Sequence, residues 1–333
     1  MRAAQYTQPD APLRLVDLPV PTPGPGQVLV RMHASGVCGT DIHVWHGHFP
    51  VTAPLVLGHE PVGVVEVLGA GVQGLKVGDR VGVSWVQRGC GACGQCQRHR
   101  ELYCDAATTW MTLGGGHCEY MLAEARGCTL IPEGVDWAVA APMFCAGYTV
   151  MSGYRNARAK AGERVAVVGI GGLGHLAVQV AKAMGHEVVA ITGSADKRAE
   201  SLSFGADEVL VVKEHAGLEL AAMGGADIVL STSNSMRHNS QVLAGLRHEG
   251  RLVTMAVGGE PIAVDPMLML LKQLSVVGSM QDERQDMVEV LALVAAGKVK
   301  PKLELYGLDE INTLMERQRD GKVRYRGVIE LAR

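Results

Sequence analysis

No apolar run in the sequence is long and uninterrupted enough to cross a bilayer. No window combines the charged start, apolar centre and small-residue cleavage site of a secretory signal. The expectation is a soluble, cytoplasmic protein. The sequence also lacks a long block of one charge: 31 Lys and Arg against 34 Asp and Glu leave a net charge of −3. Such a balance offers nothing to a nucleic-acid backbone or an anionic membrane surface, and points to a small molecule as partner. In a reducing compartment the eight cysteines are expected as metal ligands, reactive thiols or core residues in preference to disulfides. What is present in quantity is apolar: 47% of 333 residues, ample for two domain cores.

The chain is organised around C-G-T-D-I-H-V-W-H-G-H-F-P-V-T-A-P-L-V-L-G-H-E, Cys38 to Glu60. It gathers a soft thiolate at Cys38, imidazoles at His43 and His59, carboxylates at Asp41 and Glu60 and a hydroxyl at Thr40. A catalytic zinc needs two or three N/S ligands, an open position, and neighbours that fix each imidazole tautomer. On this stretch alone a solvent-facing histidine loop with one core cysteine is an equal reading, because a third ligand is missing.

The first 140 residues read as short strands between Gly and Pro turns, among them Gln27 to His33, Val62 to Leu68, Arg80 to Trp85 and Glu119 to Ala123. Within this β-rich lobe Cys90, Cys93, Cys96 and Cys104 are spaced C-x2-C-x2-C-x7-C. Four thiolates so close suit a closed tetrahedral zinc that folds a loop without a core. A ferredoxin-type iron–sulfur loop has a proline after its last cysteine, where this chain has Asp105, and free or redox thiols are the remaining alternative.

From Arg164 the pattern alternates strands with helices. The strand R-V-A-V-V runs into G-I-G-G-L-G, Gly169 to Gly174, then a helix to Met184. Further strands are expected at Glu187 to Ile191, Glu208 to Val212, Ala226 to Leu230, Arg251 to Val257 and Leu274 to Val277. This is a dinucleotide-binding Rossmann pattern: Gly169 permits the turn, Gly171 lets backbone N–H groups approach a pyrophosphate, and Gly174 allows close helix–strand packing. The plainer reading is a glycine turn that binds nothing. M-F-C-A-G-Y-T-V-M, Met143 to Met151, joins the two patterns and offers Cys145 as a third soft ligand. After Gln281 a helix, strand, helix and last strand are too short for a domain and are expected to return to the first lobe. Cys118 and Cys128 read as buried small residues.

Taken together, C-G-T-D-x-H, G-H-E, the four-cysteine loop, Cys145 and G-x-G-G-x-G resemble the zinc-dependent medium-chain alcohol dehydrogenases over essentially the whole chain, particularly the bacterial, yeast and cinnamyl-alcohol types. The resemblance implies an α/β two-domain fold: a GroES-like β-rich catalytic domain at 1–146 and 282–333, and a Rossmann domain with a doubly wound parallel sheet at 147–281. It further implies two zinc ions per chain. The catalytic zinc falls to Cys38, His59 and Cys145, with Glu60 as the neighbouring acid and Asp41 orienting the histidine; the structural zinc falls to Cys90, Cys93, Cys96 and Cys104. Thr40 and His43 match the proton relay. Thr149 and Leu173, the latter beside Gly172 in the glycine motif, match positions packing on the nicotinamide. Arg326, with Arg324 two residues away, matches a cationic contact to the pyrophosphate.

Phe49 and Trp85 match bulky pocket positions, with Trp110 as a further residue closing the pocket, and imply small or flat primary alcohols and aldehydes; the alternative is that both matched aromatics are core. A polyol dehydrogenase is the runner-up, ranked low because its relatives commonly lack the cysteine found here at 145 and have a more polar pocket. A catalytically silent zinc- and cofactor-binding protein and a cysteine-based redox sensor are the alternatives from other classes. Family members form homodimers or homotetramers, here through Gln273 to Gly278. NADP(H) is expected in preference to NAD(H). The carboxylate that NAD-specific relatives carry about 20 residues past the glycine motif is replaced by Gly193. Ser194, Lys197 and Arg198 offer a hydroxyl and two cations to a 2′-phosphate, with Asp196 read as the next helix's N-cap.

Overall fold

The computed structural model describes residues 1–331. The chain divides into two compact units, Met1–Cys145 with the segment from Pro301 onward, and Ala146–Lys300.

The first unit is built on a sheet whose strands run in the order Cys128–Leu130, Arg80–Val83, Glu60–Leu68, Gln27–Val37, Arg326–Glu330 and Leu303–Gly307, with Tyr120–Glu124 also paired to Gln27–Val37. Alternation along Gln27–Val37 sends Val28, Val30 and Met32 into one core with Val65, Val81 and Met121. Past Val37 the apolar positions change period. Ile42, Val44 and Trp45 of the helix Gly39–Trp45 enter a second core with Trp110, Ile311, Leu314 and Ile329. The tail does return to this unit: Arg326–Glu330 pairs antiparallel with Gln27–Val37, Gly327 opposite Val37. A buried arginine is thereby set one residue from the strand end that leads into Cys38.

In the second unit the six parallel strands are Arg164–Val168, Glu187–Thr192, Glu208–Val211, Ala226–Ser231, Leu246–Thr254 and Ser275–Gly278. Across the sheet they lie third, second, first, fourth, fifth and sixth in chain order, with Glu208–Val211 and Ser275–Gly278 at the edges. Near-continuous apolar runs suit strands covered on both faces, and Val165, Val167, Val189, Ile228 and Leu230 are all buried. Each such side chain contributes about 1.5–3 kcal/mol by its removal from water.

The second domain crossing lies at Lys300/Pro301, not at 281/282 as the sequence suggested. The helix Arg284–Ala295 buries Met287, Val290 and Leu291 and packs on the helix Ala146–Asn156. Ser152 donates to Asp286 at 2.7 Å, the Arg155 guanidinium pairs with the same carboxylate, and the Tyr148 hydroxyl donates to the Asp282 carbonyl at 3.1 Å. Helix length and periodicity alone do not reveal which core a terminal helix joins.

Candidate metal centres and cofactor loop

Cys38 is the N-cap of the helix Gly39–Trp45. Its Sγ accepts the Thr40 N–H at 3.4 Å, and its own N–H donates to Asp41 Oδ2 at 2.9 Å. The other oxygen of Asp41 accepts from His59 Nδ1 at 3.2 Å, so the carboxylate that closes the capping box also fixes the imidazole. His59 Nε2 then lies 3.3 Å from Cys38 Sγ, and Cys145 Sγ lies 3.9 Å from the same sulfur.

One tetrahedral zinc holds two sulfurs about 3.8 Å apart and a sulfur and a nitrogen about 3.6 Å apart. The two edges that meet at Cys38, 3.9 Å to Cys145 and 3.3 Å to His59, are close to those lengths, and the donors come from three distant stretches of chain. The donor set therefore fits a zinc ion, with Glu60 in the same group. Burial opposes a charged His59, but the Asp41 and Cys38 anions outweigh it and raise its pKa well above the usual imidazole range. The hydrogen bond from Cys145 holds Cys38 well below the ordinary thiol range, and that same bond, with burial, pushes Cys145 well above it. Each of these donors ligates a divalent cation in its deprotonated form, so binding of an ion there releases the protons they hold.

Glu60 lies over Gly36, where any Cβ would collide with its carboxylate. Burial lifts it to about 7 against the pull of Arg326, whose guanidinium donates to Oε1, while Oε2 is buried with no hydrogen-bond partner. Arg326 thus takes a different partner from the pyrophosphate expected of it. It is 3% exposed, and the strand pairing opposite Gln27–Val37 directs it to Glu60.

Trp85 and Trp110 pack around His59 with ring centroids 5.3 and 5.8 Å from the imidazole. Trp110, expected as a pocket wall, is 1% exposed and belongs to the core, where it braces the imidazole. Phe49 is 41% exposed and meets His43 edge-on at 5.9 Å. Thr40 and His43, three apart on one helix, share a face.

Two histidines escaped the sequence reading. His117 is fully buried with neither ring nitrogen hydrogen-bonded, its ring lying against Gly58, and no local pattern marks it. His48 lies 3.2 Å, Nδ1 to Nδ1, from His43, and the spacing H-x-x-H-x-H was the available signal.

In the cysteine loop the donors of Cys90, Cys93, Cys96 and Cys104 all lie within 4.8 Å of one another. Cys90 Sγ accepts the Ala92 and Cys93 N–H groups at 3.4 and 3.3 Å, which pull its pKa down to about 6. Cys104 Sγ accepts the Cys90 N–H at 3.3 Å. Backbone donors aimed at sulfur, with no disulfide among the eight cysteines, fit thiolates held around a cation.

In the glycine loop Gly169 takes φ +87°, and a Cβ on Gly174 would land on the Gly169 carbonyl. The helix Gly174–Ala183 has no side-chain cap at its start. Leu173 is its N-cap, and Gly172 precedes it. The Gly171 N–H donates to the Gly169 carbonyl at 3.0 Å, so it is spent on the turn. Thr149 is buried in the helix Ala146–Asn156. Gly193 follows the strand Glu187–Thr192 directly, and a Cβ there would meet nothing closer than 3.8 Å. The Ser194 N–H donates to Thr192 Oγ1 at 3.2 Å. Lys197 Nζ donates to the Ile170 carbonyl at 2.8 Å and Arg198 to the Val209 carbonyl at 2.9 Å, so both cations are partly engaged by backbone. Asp196 is not an N-cap. It sits within a one-turn 3-10 helix, Ala195–Lys197, which moves the α-helix start to Arg198.

Residues 24–133 match the family described as the alcohol dehydrogenase GroES-like domain, and residues 172–296 match that described as zinc-binding dehydrogenase. The chain is 38% identical to an alcohol dehydrogenase of Moraxella sp. (strain TAE123) over 335 residues, 99% of each. It belongs to the zinc-dependent medium-chain alcohol dehydrogenase family. The alcohol dehydrogenase of the archaeon Aeropyrum pernix has the same fold at a TM-score of 0.90 and 29% identity, covering 99% of this chain and 100% of that one. The acetophenone reductase of Geotrichum candidum, solved in complex with NAD, aligns at a TM-score of 0.87 and 29% identity over 99% of this chain and 96% of its own. This dehydrogenase is thus an enzyme of small-molecule substrates, with a zinc-binding dehydrogenase domain and a nicotinamide cofactor. Among its described residues no helix is long and apolar enough to cross a membrane.

Proposed function

We propose that this dehydrogenase interconverts small or flat primary alcohols and their aldehydes, with a catalytic zinc on Cys38, His59 and Cys145, a structural zinc on the four-cysteine loop, and NADP(H) preferred. The observation that carries the reading is the meeting of Cys38, His59 and Cys145 at two edges close to those of one zinc tetrahedron. A zinc ion there supplies a Lewis acid to the substrate oxygen, and the nicotinamide supplies the hydride acceptor or donor.

The chain's own groups do the rest. Asp41 holds the His59 ring so that Nε2 faces the two sulfurs. Thr40 and His43 pass the hydroxyl proton outward along one helix face. Phe49 and Trp85 narrow the approach, which favours small or planar substrates over branched ones. Glu60, held in reserve by Arg326, is the carboxylate able to reach the same metal. The lack of a carboxylate at Gly193 favours NADP(H), since an acid there would repel a 2′-phosphate.

The test is zinc content and turnover of the wild type and Cys38→Ser, with primary, secondary and flat aromatic substrates and both cofactors. The aromatic ketone is included because one structural neighbour is named for acetophenone. Two zinc ions in the wild type, one in the variant with no turnover, and a preference for primary or flat substrates are expected. One zinc or none in fully active enzyme, or a preference for bulky branched alcohols, contradicts the reading.

A further inference from the structure

We propose that His43 and His48 form a third metal site, a two-imidazole chelate for a divalent transition-metal ion such as zinc, set on the proton path. Its effect on rate rests on the relay reading of His43 above; its capacity to bind does not.

The backbone builds the site. The helix Gly39–Trp45 ends in His46, Gly47 takes φ +72°, and the Gly47 and His48 N–H groups donate to the Val44 and His43 carbonyls, each at 2.9 Å. This turn folds His48 back beside His43, so that the two Nδ1 atoms stand 3.2 Å apart with the rings 45° from coplanar. Two imidazole nitrogens bound to one tetrahedral zinc lie about 3.3 Å apart. The two nitrogens, hydrogen-bonded to each other, already stand near that spacing, so an ion has to displace the proton they share. His43 is half-buried and His48 exposed, which leaves the outer side open to water ligands.

A third imidazole, His46, lies 5.6 Å from His48 ring to ring, but its Nδ1 donates to Asp10 Oδ1 at 2.5 Å and is held there. Groups of three or more close donors among the described residues are confined to the two cysteine-containing sets. The site is accordingly one with two protein ligands, of the imidazole type that suits zinc, copper and nickel. An ion on His43 Nδ1 occupies the lone pair with which that nitrogen would accept a proton. Excess metal then slows the enzyme without touching the catalytic centre.

The experiment is equilibrium dialysis of the zinc-loaded holoenzyme against added zinc, with turnover measured at the same free zinc. The wild type is expected to bind one further ion per chain beyond its content as isolated, and to slow as that ion binds, with full recovery on brief chelation. His48→Gln should weaken this extra ion at least about tenfold, the least that even changes behind a zinc ligand cost, and keep the rate the holoenzyme shows without added zinc. His46→Gln should bind as the wild type does. If the wild type takes up no further ion, or if His48→Gln binds it as tightly, the site is overturned. If the ion binds, is lost in His48→Gln, and leaves the rate unchanged, the site stands and it is the relay role of His43 that falls.

Discussion

At the scale of single residues, Asp41 carries two duties on one carboxylate: it caps a helix through Cys38 N–H and orients His59. Asp41→Ala is expected to lower affinity for the catalytic zinc about 10- to 100-fold. It should also cost about 1 kcal/mol of cap energy. Metal titration and thermal melting separate the two effects. Thr40→Ala removes the first link of the proton path and should slow turnover on the order of 10²-fold. His43→Ala should be milder and worst at low pH, where solvent base is scarce. Equal, pH-independent losses from both variants would count against the relay. Gly193→Asp has room for its side chain and should shift the ratio of kcat/KM for NAD over NADP upward at least about tenfold, or ~1.4 kcal/mol. A wild type already favouring NAD, or an unmoved ratio, defeats the Gly193 argument.

At the scale of elements, the loop Cys90–Cys104 has only 3-10 turns of its own, so the structural zinc proposed for it is expected to be what folds it. Cys93→Ser should remove one zinc, expose this loop to proteolysis, and leave the zinc of Cys38 in place. Loss of both ions at once would show that the two sites are not independent. Legibility at this scale varied by element. The strand Arg164–Val168 was readable to the residue because a four-residue apolar run sits between a charged start and glycines. The start of the helix after Gly193 was misplaced by one residue, because a 3-10 turn and an α-helix share the same N-terminal signals.

At the scale of the whole molecule, the strand Ser275–Gly278 forms an open edge, and the adjacent helix Pro266–Lys272 buries none of its residues. Leu270 and Leu271 are 73% and 69% exposed. An apolar edge of this kind invites pairing with its own copy, so the expected state is a homodimer or homotetramer. Light scattering should give a multiple of the monomer mass, and Leu270→Lys with Leu271→Lys should shift it toward the monomer. A monomeric wild type at micromolar concentration contradicts the assignment.

The sequence by itself determined the fold class, where most strands fall along the chain, and which sulfurs and imidazoles were available. Those properties reside in local periodicity and in the spacing of rare residue types. Cys38, His59 and Cys145 were legible as candidate ligands because each sat in a motif that resembles the family's, and the structure brings their donor atoms together. Only the tertiary structure decided that Arg326 faces Glu60, that Trp110 is core, that the helix Arg284–Ala295 joins the nucleotide unit, and that His48 meets His43. Each of these depends on strand register, on packing between distant segments, or on one glycine turn. Such choices are set by the free energy of the assembled core, which no short window of sequence contains.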